Sequence, residues 1–326
     1  MKNIQADIKS GNFKQVYLLY GEEAYLKQQY KQNLVKALNP DGDTMNFNHY
    51  EGKGIDVKQL IDLCETMPFF AERRVVLLED TGFFKNKCEE LADYMKELPD
   101  YLYLVFAETE VDKRNRMYKA VKACGSIAEF IRQDEKTLMR WAAGILGKAG
   151  KKITQRDMEL LLTKTGTDMG NLRMEMEKLI SYTEGRDVVT AEDIEEICTT
   201  QTTNRIFDMV RAVTEKNQKH ALYYDLLTLK EPPMRILFLL AKQYRQLLLA
   251  KQFAAAGLAQ TEIASKLGVP GFVVRNITTC ARAYTISELE QAVKDFVDAE
   301  ESVKTGRLED KLSVELLIIK YSSKVK

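Results

Sequence analysis

The N-terminal part of the chain alternates short apolar runs with longer segments in which apolar residues recur at helical spacing. Most of the runs are uninterrupted, which is typical of strands covered on both faces in a parallel sheet. Because helix-like segments separate the runs, the pattern predicts a doubly wound parallel α/β domain over residues 1–140. The predicted strands are Gln15–Tyr20, Met45–Tyr50, Val75–Leu78, Tyr101–Phe106 and Ile127–Phe130, and the predicted helices are Glu22–Leu38, Val57–Glu65, Lys87–Leu98 and Met117–Cys124.

From Thr137 onward the pattern changes to successive helices, so the chain is predicted to be α/β followed by all-α. Residues 141–208 are predicted to form a small domain of short helices, the last of which begins at a capping box on Thr190. Residues 209–326 are predicted to form a third, all-helical domain. The predicted helices from residue 203 onward are Ile206–Thr214, His220–Leu229, Met234–Ala256, Gln260–Leu267, Phe272–Ala283, Ser287–Val303 and Leu312–Tyr321.

The overall charge does not indicate which kind of partner the protein binds, because 48 Lys and Arg residues balance 48 Asp and Glu residues. Any contact with nucleic acid must therefore use a local patch. The charged segment Asp112–Arg116 is a candidate for contacts to phosphate, although the same composition is typical of a solvated loop. The sequence favours the solvated loop.

Metal and disulfide chemistry have little support in the sequence. The five cysteines are widely spaced without a CxxC pair, and the two histidines are His49 and His220. We expect no metal and no cofactor. The N-terminal residues lack an apolar signal region and no segment has the length of a membrane span, so we expect a cytoplasmic protein.

The turn after the first predicted strand occupies the place where a phosphate-binding loop would begin. The segment Gly21–Lys27 lacks the second glycine and the Lys-Ser/Thr pair of GxxxxGK[ST], and two glutamates would repel phosphate. We therefore interpret Gly21 and Lys27 as the remnant of a loop that does not bind nucleotide. Glu79 and Asp80 follow a buried strand as the acidic end of a Walker B strand does, but solvated strand-end charge is the favoured interpretation.

A cluster of large apolar residues precedes the third predicted strand. Pro68 blocks continuation of the preceding helix, so Met67, Phe69 and Phe70 fall in a connection, where large side chains are hard to bury. The residues alone leave two alternatives, and they favour the first. In the first the rings fold under the sheet as core, and in the second they form an exposed binding surface.

The segment Gln260–Ile277 has the spacing of a DNA-binding helix-turn-helix. A reading helix presents polar side chains from its first turn to base edges. Here that turn is Pro270–Val273, which has almost no donors or acceptors. A structural helical hairpin is favoured.

The chain as a whole resembles the delta subunits of bacterial DNA polymerase III, which are clamp-loader subunits of the AAA+ class. In combination the matching segments are specific, and they fall in all three predicted domains. They are Val16–Leu26, Met67–Val75, Tyr103–Arg114, Gly170–Leu179 and Val303–Arg307.

The resemblance implies an AAA+-like first domain, a helical lid and a helical collar. It also implies that Met67, Phe69 and Phe70 bind the β sliding clamp, because the family places an apolar pair, Leu-Phe in its best-known pattern, before the third strand. Its partners would be other clamp-loader subunits, of the tau/gamma and delta-prime type, and ATP would be bound and hydrolysed by neighbouring subunits. The complex would act on primer–template DNA within a polymerase holoenzyme. No intrinsic catalysis is expected from this chain.

The collar would pack against those partner subunits. Arg235–Ala250 carries more leucine and isoleucine than one face of a helix can bury, so we expect exposed apolar surface there.

Two other functions stay open at this point. One is a regulator that reads DNA through Gln260–Ile277, and the other is an active AAA+ ATPase.

Overall fold

The computed structural model describes residues 2–199, 231–269 and 271–322. Contacts divide the chain into two compact units, Met1–Gln133 and Asp134–Lys326. Among the described residues, no helix is both long enough and apolar enough to cross a membrane.

The first unit is built on a five-stranded parallel sheet, as the alternating pattern predicts. Its strands are β1 (Val16–Tyr20), β2 (Phe47–Glu51), β3 (Arg74–Glu79), β4 (Leu102–Glu108) and β5 (Ser126–Glu129). They lie in the order β2-β3-β4-β1-β5, and every pair is parallel. All amino ends therefore meet at one edge of the sheet and all carboxyl ends at the opposite edge.

Helices cover both faces of this sheet, because successive strand residues point to opposite sides. Leu34 and Leu38 pack with Tyr17 and Leu19 on one face, whereas Leu60 packs with the strand residues of the other face. The helices are α1 (Lys2–Ser10), α2 (Ala24–Leu38), α3 (Val57–Glu65), α4 (Glu89–Tyr94) and α5 (Arg116–Cys124). The predicted fold class is confirmed for this unit.

Helix α1 is missing from the sequence-based prediction. It is mostly polar, but Ile4 is fully buried against the same face as α2. Helix α4 is shorter than predicted, since it begins at Glu89 and ends at Tyr94 rather than spanning Lys87–Leu98.

The second unit is mainly helical, as predicted. Its helices are α6 (Glu135–Lys148), α7 (Gln155–Thr165), α8 (Met169–Tyr182), α9 (Ala191–Ile197), α10 (Pro233–Ala255), α11 (Gln260–Leu267), α12 (Gly271–Ala281), α13 (Ile286–Lys304) and α14 (Asp310–Ser322). Thr190 forms the predicted capping box with Asp193. A two-stranded parallel sheet of β6 (Lys152–Ile153) and β7 (Val188–Val189) was not predicted, because two-residue strands leave no pattern.

Two separate hydrophobic cores lie within this unit, one from Ala142 to Cys198 and one from Ile236 to Ile318. They lie within the ranges predicted for the lid and the collar, and the division into these two domains with a boundary at residue 208 stays a prediction. The predicted helices Ile206–Thr214 and His220–Leu229 lie outside the described residues.

The expectation of exposed apolar surface on Arg235–Ala250 is wrong for most of that helix. Ile236, Leu237, Leu239 and Leu240 are buried, because α12, α13 and α14 pack around α10. Phe238 is the large apolar side chain of this helix that is exposed.

Candidate protein-binding site

The loop of residues 66–73 connects α3 to β3 at the amino edge of the sheet. Three of its large apolar side chains face solvent: Met67 is 74% exposed, Phe69 57% and Phe70 94%. The two phenylalanine rings contact each other edge to face, with centroids 4.4 Å apart. The alternative in which these rings pack under the sheet is therefore wrong.

The backbone of the 66–73 loop is held by Asn46, a residue just before β2. The Asn46 amide nitrogen donates to the Phe69 carbonyl oxygen at 2.8 Å, and its amide oxygen accepts from the Phe69 N–H at 2.7 Å. The same nitrogen donates to the Asp43 carboxylate at 2.6 Å. This bond lowers the pKa of Asp43. Asn46 itself is buried, so its polar atoms are satisfied inside the protein.

Arg74, the first residue of β3, holds the other end of the loop. Its Nε donates to the Thr66 carbonyl oxygen at 2.9 Å and its Nη2 to that of Met67 at 3.3 Å. The third nitrogen donates to the Asn48 side chain at 3.2 Å. The buried Arg74 guanidinium donates to carbonyl oxygens at the end of α3, where a helix leaves such groups unpaired. Its positive charge is also stabilised by the negative end of the helix dipole.

Phe70 adopts a left-handed backbone conformation with φ of 50°. A bulky side chain is uncommon there, because its Cβ lies too close to backbone oxygen. Together with the exposed ring, this conformation marks a functional candidate. Asp80 is the other non-glycine residue of the described chain with positive φ, and aspartate tolerates that region more easily.

Sequence reasoning missed Met45, which is 65% exposed. It directly precedes Asn46, whose side chain bonds to the backbone of Phe69. Met45 is therefore a further exposed apolar side chain at the amino edge of the sheet. The available signal was only that Met45 stands alone among polar neighbours.

The predicted phosphate-loop remnant lies at the opposite, carboxyl edge of the sheet. Strand β1 is paired with β4 on one side and β5 on the other, so the carboxyl end of β1 is the topological switch point, where open α/β sheets bind ligands. In this protein the backbone of Phe130 occupies that position. A Cβ on Gly21 would collide with the Phe130 carbonyl oxygen, and that oxygen accepts the Glu23 N–H at 3.0 Å.

The cations near this turn are engaged by the protein. Lys27 Nζ donates to the Glu108 carbonyl oxygen at 2.9 Å, and burial lowers the pKa of Lys27. Lys31 pairs with Glu79 at 2.6 Å, and Glu79 also contacts His49. Both lysines therefore already have protein partners at the position where a bound phosphate would need a cation.

Acidic side chains at the same edge are also occupied. The Glu108 carboxylate accepts from the Thr81 N–H and hydroxyl, and burial raises the pKa of Glu108. The Asp80 carboxylate accepts the Thr109 N–H at 2.8 Å. These bonds give Asp80 and Glu108 structural roles at strand ends.

The basic side chains of the charged segment Asp112–Arg116 are paired with carboxylates of the same unit. Lys113 pairs with Glu129 at 2.9 Å, Arg114 with Asp112 at 3.0 Å, and Arg116 with Asp93 at 2.7 Å. These are exposed ion pairs, which agrees with the favoured interpretation as a solvated loop.

The helix-turn-helix candidate forms a helical hairpin, with Gly268 in the left-handed conformation at the turn. The start of α12 packs on other parts of the protein. Val273 contacts both hydrophobic cores of the second unit, and Arg275 lies 3.7 Å from Glu159 of α7. Val274 and Ile277 are buried. These contacts support the structural hairpin. Pro270 and the Phe272 side chain lie outside the described parts.

Comparison with known proteins gives concordant matches. The family model for the DNA polymerase III delta subunit matches residues 17–130, and the model for the C-terminal domain of that subunit matches residues 203–321. The DNA polymerase III subunit delta of Bacillus subtilis is 26% identical over 332 residues, covering 97% of this chain and 95% of the relative. A probable DNA polymerase III subunit delta of Aquifex aeolicus is 22% identical over 270 residues, covering 78% of this chain and 75% of the relative.

A solved structure shares the fold. The Bacillus subtilis DNA clamp loader delta protein superposes with a TM-score of 0.67 at 23% identity, and the match covers 99% of each chain. Because both family models match and the curated relative aligns along nearly the whole length, the chain belongs to the DNA polymerase III delta subunit family.

Proposed function

We propose that this chain binds the β sliding clamp through Met67, Phe69 and Phe70 and opens it for loading onto primed DNA in the bacterial cytoplasm, without hydrolysing ATP itself. The observation that carries the proposal is the exposure of Phe69 and Phe70 on a loop whose backbone is fixed by buried polar side chains. Exposed aromatic residues on a rigid frame are typical of hot spots, because little conformational entropy is lost on binding.

The rings have enough apolar area to contribute substantially to binding. Burying a phenylalanine side chain in a partner's pocket is worth roughly 1.5 to 3 kcal/mol. The two rings and Met67 of the same loop therefore supply an apolar centre for an interface. Phenylalanine at the first position of the pair, where the best-known family pattern has leucine, keeps the apolar contact and enlarges it.

The absence of hydrolysis in the proposal rests on the carboxyl edge of the sheet. Lys27 and Lys31 are bound by the protein, and the Phe130 carbonyl oxygen occupies the turn where phosphate oxygens would approach backbone N–H groups. Clamp opening must then draw on binding energy. A non-hydrolysing subunit can open a ring only if it binds the open form more tightly than the closed form.

Partner subunits of the tau/gamma and delta-prime type would cover apolar surface on the collar. Leu312, Leu316 and Ile319 are 42%, 50% and 48% exposed, and their spacing places them on one face of α14. Helix α14 buries Val314, Leu317 and Ile318 on its other face. An exposed stripe on a helix that is already packed is suited to a helix of another subunit.

Binding to the cognate clamp tests the proposal directly. The wild-type chain and the double variant Phe69→Ala with Phe70→Ala are compared on a clamp-coated biosensor surface. We expect the double variant to lose at least about a hundredfold in affinity, because hot-spot truncations exceed roughly 2 kcal/mol each. Unchanged clamp affinity would contradict the proposed site.

Duplex DNA on a parallel surface separates this function from that of a DNA-reading regulator. The proposal predicts that the free chain shows no sequence-dependent DNA binding. Tight, sequence-specific binding that depends on α12 would favour the regulator instead.

A further inference from the structure

The geometry of the exposed surface depends on two side chains that scarcely reach solvent. Asn46 is 3% exposed and Arg74 is 5% exposed, so neither offers much area to a partner. Between them they bond the carbonyl oxygens of Thr66, Met67 and Phe69 and the N–H of Phe69. Every one of these bonds goes to the backbone of the 66–73 loop.

This arrangement has a consequence for Phe70. The left-handed conformation is disfavoured for a residue with a Cβ, so an unrestrained loop would place Phe70 at negative φ in most molecules. Bonds to the residue before Phe70 restrict the loop to the conformation in which both rings project together. Asn46 also donates to Asp43, which accepts the Met45 N–H, so Met45 belongs to the same rigid frame.

We infer that Asn46 and Arg74 are positioning residues for the exposed apolar surface: they hold the 66–73 loop in its binding conformation without being the main contacts themselves. The inference rests on the proposed function, since it concerns the same partner. A loop released from this frame adopts the binding conformation for only part of the time, and its apparent affinity is reduced to that fraction of the intrinsic affinity. The residues are thus required for preorganisation rather than for contact area.

The test uses variants at Asn46 and a matched control in the same unit. Asn46→Ala removes both bonds to Phe69, whereas Asn46→Asp keeps the size and the acceptor but removes the donor. Asn115 is the control, because it also binds backbone in both directions: it accepts the Met117 N–H at 2.9 Å and donates to the Asn86 carbonyl oxygen at 2.9 Å. Asn115 caps α5 after β4, at the carboxyl edge of the sheet, whereas the 66–73 loop lies at the amino edge.

We expect Asn46→Ala to weaken binding to the cognate clamp by roughly tenfold, as when the competent fraction falls to about a tenth. The loss should lie mainly in the association rate, since the bound loop keeps its ring contacts. Hydrogen exchange at the Phe69 amide should become faster in the free protein. Asn46→Asp should weaken binding in the same direction, and Arg74→Lys should do so because one ammonium cannot replace the guanidinium fork.

Asn115→Ala should reduce stability to a similar degree and leave clamp affinity within about twofold of wild type. The inference is overturned if Asn46→Ala binds like wild type, or if Asn115→Ala loses as much affinity as Asn46→Ala. If Phe69→Ala with Phe70→Ala retains full affinity, the proposed function itself fails. If that double variant loses binding while the Asn46 variants keep it, only the positioning role fails.

Discussion

Replacing Phe69 and Phe70 together by alanine should destabilise the first unit less than truncating one buried ring does. Phe70 is 94% exposed and Phe69 57% exposed, so most of the ring area already faces water. A phenylalanine buries at most about 200 Å². At about 25 cal/mol per Å², the hidden area corresponds to roughly 2 kcal/mol for Phe69 and a few tenths for Phe70, which are upper bounds.

The chain contains a matched pair of rings in its core. Phe84 and Phe106 also meet edge to face, with centroids 5.2 Å apart, and both are fully buried. Truncating one buried phenylalanine typically costs about 3 to 5 kcal/mol, because a cavity remains. Phe84→Ala alone should therefore destabilise the protein more than the exposed double change does.

Urea unfolding followed by circular dichroism measures both variants, and a shift in midpoint at unchanged slope reports stability. We expect a small shift for the exposed double variant and a large one for Phe84→Ala. If the double variant loses as much stability as Phe84→Ala, then Phe69 and Phe70 are core residues and the exposed site is wrongly placed.

Three further changes test other parts of the structure. Phe70→Gly should be more stable than Phe70→Ala by roughly 0.5 to 1 kcal/mol in urea unfolding, because glycine adopts positive φ without strain; equal stability would argue against a strained loop. Glu108→Gln should raise stability at pH 7, where wild type holds a buried carboxylate whose pKa is raised, and the gain should vanish as pH falls below the unfolded carboxyl pKa of about 4.3; a gain independent of pH would refute this cause. Leu316→Glu should weaken assembly with partner subunits by at least about tenfold in gel filtration while Lys311→Glu, on the same helix, has little effect; equal effects would place the interface elsewhere.

Most of the parallel sheet could be predicted because its strands are buried on both faces. Val16–Tyr20 and Val75–Leu78 are apolar at every position, and that pattern has few other interpretations. Helix α1 escaped prediction because Ile4 and Ile8 are its only large apolar residues. The leucines of α10 were wrongly expected at the surface, since the sequence does not show that four other helices pack against it.

The candidate site was predictable only in part. Pro68 placed Met67, Phe69 and Phe70 in a connection, but the residues alone favoured burial, and the family resemblance was needed to expect exposure. Asn46 and Arg74 gave no sequence signal, because their bonds join segments more than twenty residues apart or close a loop on itself. Such positions are defined by tertiary contacts rather than by spacing.

Clamp opening in the absence of nucleotide is the measurement that tests the central claim most directly. A clamp carrying a donor and an acceptor fluorophore across one ring interface reports opening as a loss of energy transfer. The account predicts that the wild-type chain opens this ring without ATP, that added magnesium and ATP change nothing for the isolated chain, and that Phe69→Ala with Phe70→Ala leaves the ring closed. Opening that requires ATP, or opening by the double variant equal to that by wild type, would contradict it.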